Sequence, residues 1–287
     1  MNPMLSPLID ATELAAVIDQ VLLFDVRFDL ARPDAGHEAW LQGHLPGAVY
    51  LHLDRDLSAP AGSDQACSGG RHPLPTRAEV ARRAHGWGVA PGRRVVVCDA
   101  QGGMFAARLW WMLRWLGHAE VQVLDGGVPA WVRAGGVLQT GAVLPQPAPG
   151  EGPAPMAAAP GMATLGADAL QAALGRCCLI DARAPERWRG DVEPLDPVAG
   201  HIPGALNRPF SANLGADGRF LPPEALRAAF LALTAAAVGP VVHQCGSGVT
   251  ACHNLLAMEA AGLTGSALYP GSWSEWCRDP ARPVARG

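Results

Sequence analysis

The sequence predicts an α/β protein made of two copies of one domain, each a mostly parallel sheet with helices on both faces. Three observations predict it. Short apolar runs bounded by turn residues alternate with helical stretches, the pattern of parallel strands joined by crossover helices. Four segments recur in the same order 145 to 157 residues apart, which marks an internal duplication. A proline-dense stretch then separates the two copies at residues 141–160.

The elements follow in order. Val21–Val26 reads as a buried strand ending in Asp25-Val-Arg27, and Cys178–Ala182 repeats it with Asp181-Ala-Arg183. Gly43-His-Leu-Pro-Gly-Ala48 returns as Gly200-His-Ile-Pro-Gly-Ala205. Val95–Cys98, followed by Asp99, returns as Val241–Gln244, followed by Cys245. Behind each of these strands comes a helix. Phe105–Leu116 is apolar all round, with Gly117 as its stop, and its counterpart is Thr250–Ala261. Val121–Leu124 and Ala267–Tyr269 are the last strands, and Gly126-Gly-Val-Pro-Ala-Trp131 returns as Gly271-Ser-Trp-Ser-Glu-Trp276. Proline at the density found between the copies forbids a helix interior and disfavours central strands, so that stretch is expected to run over the surface. The expected domains are 1–140 and 163–287, with 141–162 as linker.

Composition narrows the function classes. With 287 residues, 49% hydrophobic and 17% charged, the chain has the material for two packed domains and is not disordered as a whole. A net charge of −4 leaves no electrostatic footprint for nucleic acid or anionic membrane. No run approaches the roughly 18 apolar residues of a membrane span, and the N-terminal residues, lacking a basic region followed by an apolar one, are not expected to act as a secretory signal. A soluble, cytoplasmic protein is expected. Its seven cysteines include no CxxC pair, so free thiols are expected and no metal or organic cofactor is implied.

One thiol stands apart. Cys245 ends an apolar strand and opens a loop in which Gly246 and Gly248 let successive N–H groups curl toward one point, an anion-binding nest. The helix behind it adds unsatisfied donors and its positive dipole end. Both favour a thiolate, and equally a persulfide anion one bond further out. A buried structural role suits Cys98 better, and buried packing suits Cys252 and Cys178. In the first copy Asp99 takes the place of the nucleophile. Arg108, Trp110 and Trp111 sit in an apolar helix and read as packing, and Cys67 lies in a Ser/Gly-rich loop. Arg183 reads as structural because Arg27 duplicates it.

The loop Cys245-Gly-Ser-Gly-Val-Thr-Ala251 resembles the active loop of the 3-mercaptopyruvate sulfurtransferases, a branch of the tandem-domain rhodanese superfamily. Its thiosulfate-using relatives carry Cys-Arg-Lys-Gly-Val-Thr instead. The GH(L/I)PGA pair, Trp110-Trp111-Met112 and the closing Gly271–Trp276 segment extend the resemblance over nearly the whole chain. It implies two rhodanese-like domains, the first catalytically silent, with the site in the cleft between them. It also implies a serine, histidine and aspartate relay, matched here by Ser247, His72 and Asp54. Ser–His–Asp is a known arrangement for taking a proton, and a donor thiol must lose one as its sulfur moves. Arg187 matches an arginine that binds the donor's carboxylate, and Gly246, Gly248, Val249 and Thr250 complete the substrate site. A second substrate arginine of the family has no match: Leu195 or Asp196 falls at its place, with Arg189 as a candidate substitute. Pro270 stands where relatives often have aspartate.

The expected reaction moves sulfur from 3-mercaptopyruvate to a small thiol, a thioredoxin-like protein or cyanide. Two alternatives remain, thiosulfate as donor and a non-enzymatic persulfide carrier. Cysteine phosphatases of the C-x5-R type share the architecture, but their arginine position is Ala251 here, and phosphoryl transfer without that guanidinium loses its charge stabiliser.

Overall fold

A computed structural model describes residues 5–150, 152–154, 157 and 159–287. The first copy contains β1 (Leu8–Ile9), α1 (Ala11–Ala15), β2 (Leu22–Asp25), α2 (Ala35–Gln42) and β3 (Val49–Tyr50). It continues with α3 (Arg77–Gly86), β4 (Val95–Cys98), α4 (Ala106–Leu116), β5 (Val121–Leu124) and α5 (Gly127–Arg133). The second contains β6 (Ala163–Thr164), α6 (Ala167–Ala173), β7 (Cys178–Asp181), α7 (Pro185–Arg189) and β8 (Leu206–Asn207). After these come α8 (Pro223–Thr234), β9 (Val241–Gln244), α9 (Thr250–Ala260), β10 (Ala267–Leu268) and α10 (Ser272–Trp276).

The two sheets have the same topology. Strands run β1-β5-β4-β2-β3 in one and β6-β10-β9-β7-β8 in the other, and every pairing is parallel. The duplication read from four sequence segments is therefore a duplication of fold. Both faces are covered, which is why β2, β4 and β5 are buried at every position rather than alternating. On one face Leu23, Val96 and Cys98 pack with Leu14 of α1 and with Val128 and Trp131 of α5. On the other, Phe24 meets the edge of Trp87, which ends α3, at 6.1 Å between ring centroids. In the second copy Leu179 and Val242 pack with Leu170 of α6 and Trp273 and Trp276 of α10.

Helix ends follow their local chemistry. Asp10 and Glu13 form a capping box on α1, and Thr76 accepts from the Glu79 N–H at the start of α3. Gly117 closes α4 at φ 99°, a conformation that favours glycine. Buried all round, α4 holds Arg108, Trp110 and Trp111.

The recurring motifs are structural straps. Arg27 clasps Asp25 and donates to the Gly43 carbonyl at 2.8 Å, and Arg183 clasps Asp181 and donates to Gly200 at 2.8 Å. Trp40 and Trp188 donate to the carbonyls of Ala48 and Ala205. His44 and His201 each stack on that tryptophan and hydrogen-bond its carbonyl. The GH(L/I)PGA segment is thus tied to a strand end and a helix in both copies.

The chain forms two compact units that do not follow the order of the sequence. One runs to Leu57 and includes Thr76–Gly161 and Gly215–Phe220; the other takes Ser58–Pro75, Met162–Leu214 and Leu221–Gly287. The proline-rich stretch stays with the first unit. Ala148, Ala154, Ala157 and Gly161 donate their N–H groups to carbonyls of His85, Ala81, Leu116 and Trp115.

Candidate active site

Strand β9 carries Cys245 to the carboxyl end of the central strand of its sheet, where it is 2% exposed. The turn into α10 pins the loop from behind. The Cys245 N–H donates to Ser272 Oγ at 3.1 Å, and that hydroxyl donates to the Tyr269 carbonyl at 3.0 Å. The N–H groups of Trp273 and Ser274 donate to the carbonyls of Cys245 and Gly246 at 3.0 and 2.8 Å. Ser272 has φ 55°, the only non-glycine residue with positive φ among the described residues. Strain at such a position marks a backbone held by its surroundings.

Gly248 shapes the inner side. At φ 76° a Cβ here would stand 2.2 Å from the Pro270 carbonyl oxygen, so no side chain fits. Its N–H donates to Cys245 Sγ at 3.2 Å, and the Cys252 thiol donates to its carbonyl at 3.2 Å. Cys252 therefore secures the loop. Val249, Thr250 and Ala251 lie where α9 begins, and the first N–H groups of a helix have no intrahelical acceptor.

The first copy shows what this cradle accepts. Asp99 is fully buried. Its Oδ1 takes the N–H groups of Gln101 and Gly103, each at 2.9 Å, and its Oδ2 those of Phe105 and Ala106 at 2.9 and 3.0 Å. A carboxylate thus fills the nest from within, in the place that a cysteine holds in the second copy.

Two predicted residues meet in the second unit. His72 falls in the first half of the sequence, but its segment belongs to the unit that holds Cys245. Its Nδ1 lies 2.7 Å from Ser247 Oγ, and both side chains are buried. The segment is anchored by the Gly69 N–H on Glu275 at 2.7 Å and the Arg71 N–H on Ser274 Oγ at 3.0 Å. Asp54 lies in the other unit, exposed, with its N–H donating to His52 Nδ1 at 3.1 Å.

Charged residues gather beside the loop. Arg187 on α7 donates through Nη2 to Glu193 at 2.6 Å and to Asp196 at 3.3 Å. Asp196 also takes Arg71 Nη1 at 2.9 Å, and Glu193 reaches Arg183 at 3.4 Å. Arg183 lies over the Trp273 ring at 4.9 Å, with its structural role as expected. Arg189, the candidate substitute for a second arginine, pairs instead with Asp191 on the exposed side of α7. Arg71 and Glu193 were not singled out from the sequence, and Asp196 was noted only as the place of a missing arginine, not as the partner of Arg71 and Arg187. The one available signal was the charge at Arg71 next to His72.

The other thiols differ in their surroundings. Cys98 is fully buried and its thiol is pushed well up by that burial, which opposes reactivity. Cys177 and Cys178 are also raised by burial. Cys67 is exposed, its thiol donating to the Pro75 carbonyl at 3.4 Å. Among the described residues no helix is long and apolar enough to cross a membrane.

A cysteine at a strand end, the Gly248 N–H on its sulfur and a serine–histidine pair beside it can form a covalent sulfur adduct and move a proton. Comparison with known proteins agrees. The sequence pattern of the rhodanese-like domain matches residues 10–134 and again 166–279. A probable 3-mercaptopyruvate sulfurtransferase of Pseudomonas aeruginosa is 48% identical over 286 residues, 98% of each chain. A putative thiosulfate sulfurtransferase of Mycobacterium tuberculosis, SseB, is 46% identical over 98% of this chain and 97% of its own. Among solved structures, SseA of Escherichia coli, a 3-mercaptopyruvate sulfotransferase of the rhodanese fold, superimposes with a TM-score of 0.77 at 31% identity. That match covers 94% of this chain and all of SseA.

Proposed function

The chain belongs to the rhodanese-like domain family and is a sulfurtransferase, and from that premise we propose that Cys245 takes its sulfur from 3-mercaptopyruvate. The Cys245 thiolate attacks the donor's sulfur and the carbon–sulfur bond breaks. The electron pair of that bond leaves with the carbon as the enolate of pyruvate. The thiol proton passes through Ser247 and His72 to the enolate carbon, so pyruvate departs and a persulfide anion remains on Cys245. A thiolate acceptor then attacks the outer sulfur and carries it away, restoring the Cys245 thiolate; cyanide does the same and leaves as thiocyanate.

The observation that carries this reading is the 2.7 Å contact between His72 Nδ1 and Ser247 Oγ beside the cysteine loop. With its proton on Nε2, the imidazole accepts from the serine hydroxyl at Nδ1 and relays a proton. A thiol donor needs such a relay, whereas thiosulfate has no thiol proton to lose. Asp54 is assigned the third place in the relay on the strength of the resemblance. Gly246, Gly248, Val249 and Thr250 supply the backbone that receives the outer sulfur, and Arg187 holds the donor's carboxylate. The acceptor is a small thiol or a thioredoxin-like protein. The setting is the cytoplasm, where a reducing pool keeps a thiol such as Cys245 available for persulfide exchange.

Steady-state rates on mercaptopyruvate and thiosulfate test the reading. Replacing Cys245 by Ser should abolish transfer from both, and donor-treated wild type should gain one sulfur on the Cys245 peptide. His72→Ala should lower turnover on mercaptopyruvate by about 10²–10⁴-fold, the range of a general base, and far less on thiosulfate. Equal losses on the two donors would overturn the relay. A sulfur label found on Cys67 or Cys98 would overturn the nucleophile.

A further inference from the structure

The carboxylate of the donor has only one recognised partner in this reading, Arg187, and the place of a second arginine holds Leu195 and Asp196. We propose that Arg71, reaching in from the segment that carries His72, is the second carboxylate contact, and that Asp196 is the residue that brings it there. The proposal rests on mercaptopyruvate as donor and adds a specificity residue to that site.

Three observations converge on Arg71. First, it and Arg187 share one acceptor. The side chain of Asp196 is 1% exposed, and its two oxygens take Arg71 Nη1 and Arg187 Nη2 at 2.9 and 3.3 Å. A buried carboxylate between two guanidinium groups fixes their spacing far better than a solvent-exposed pair could. Second, both cations crowd the residue that follows the nucleophile. A Cβ on Gly246 would lie 3.1 Å from Arg71 Nη2 and 3.5 Å from Arg187 Nη1. Both guanidinium groups thus lie against the backbone of the residue next to the nucleophile, and a side chain at Gly246 would have to displace them.

Third, Arg71 keeps donors in hand. Its Nη1 is engaged by Asp196, but its Nε is buried and has no hydrogen-bond partner among the described residues. Nε and Nη2 form one edge of the planar guanidinium, the edge that matches the two oxygens of a carboxylate. The Nε of Arg187 is buried without a partner as well. Buried donors left unpaired are costly, and a carboxylate lying against Gly246 relieves that cost. Asp196, seen from the sequence as the loss of a substrate arginine, then exchanges one guanidinium for another that arrives from a distant segment.

The experiment compares two donors with the same thiol and ketone, mercaptopyruvate and its carboxyl-free analogue 1-mercaptopropan-2-one. For Arg71→Met the preference for mercaptopyruvate, the ratio of kcat/KM values, should fall by about 10–100-fold, the equivalent of one charge-assisted hydrogen bond. The fall should reside in KM rather than kcat. Arg71→Lys keeps the charge on Asp196 but lacks the planar edge, and should show an intermediate fall. Pyruvate titrated calorimetrically into Cys245→Ser protein should bind, and about 10-fold or more weaker when Arg71→Lys is added. An unchanged ratio, or equal losses on both donors, would overturn the proposal and leave Arg71 as a prop for Asp196. Should Arg71→Met fail to fold, the lysine variant and the pyruvate titration decide. Wild type that binds pyruvate but does not turn over mercaptopyruvate would refute the donor, not Arg71. Wild type that does not bind pyruvate would refute the contact.

Discussion

His243 shows how far burial alone can set the chemistry of one side chain. It precedes the nucleophile by two residues, fully buried, with Nε2 3.1 Å from Met258 Sδ and Phe230 edge-on at 6.3 Å. Burial holds its imidazole down from the usual 6.5 to about 3, so it stays neutral. The unfolded chain takes up this proton as pH falls through 6.5, while the folded chain refuses it until about 3. Stability from this residue is therefore complete above pH 6.5 and drains away as pH drops toward 3. His243→Phe should flatten the fall in unfolding free energy between pH 6.5 and 4 by up to about 1.4 kcal/mol per pH unit. Urea melts across that range measure it; parallel slopes for variant and wild type would contradict it. At the same scale, Cys245 was legible because its chemistry is local: a strand end, two glycines and a helix start within six residues. The pairing of Arg71 with Asp196 was not, because an ion pair spanning 125 residues leaves no pattern in either neighbourhood.

At the scale of elements, the loop after β9 works because two other segments hold its backbone. Gly248 has its Cβ position occupied by the Pro270 carbonyl, and the N–H groups of Trp273 and Ser274 grip the carbonyls of Cys245 and Gly246. Gly248→Ala must therefore push the loop off the turn before α10. Turnover should fall at least about 100-fold, as a displacement of 1 Å at a reacting group can cost, while the far-ultraviolet circular dichroism of the folded protein stays unchanged. Full activity in that variant would mean that the loop geometry does not matter. The core strands were readable in advance: Val95–Cys98, Val121–Leu124 and Val241–Gln244 fall where the apolar runs place them, and the helix Phe105–Leu116 starts one residue later, at Ala106. The edge strands were not. Leu8–Ile9, Val49–Tyr50, Ala163–Thr164 and Leu206–Asn207 are two residues each. A pair of residues has no periodicity, and these segments are strands only because a longer neighbour offers them a ladder.

At the scale of the whole molecule, the two sequence copies are not two separable bodies. Residues 58–75 and 215–220 each belong to the unit opposite to the one their place in the chain suggests. A fragment cut at the proline-rich stretch, residues 163–287, would lack the segment that supplies His72 to Ser247, Arg71 to Asp196 and the Gly69 N–H to Glu275. Expressed alone it should transfer no sulfur from mercaptopyruvate, a result that an activity assay beside a thermal melt would establish; a fragment as active as the full chain would contradict this account. The apparent symmetry breaks most sharply at one position. The nest behind β4 is filled by Asp99, bound to the same backbone whose amides it satisfies, so its local concentration never falls and no dissolved anion can displace it. In stoichiometric terms the protein with two folds has one port. Sulfur released by cyanide from fully loaded protein should level off at one atom per chain, and titration with any anion that competes with the donor should end at one equivalent.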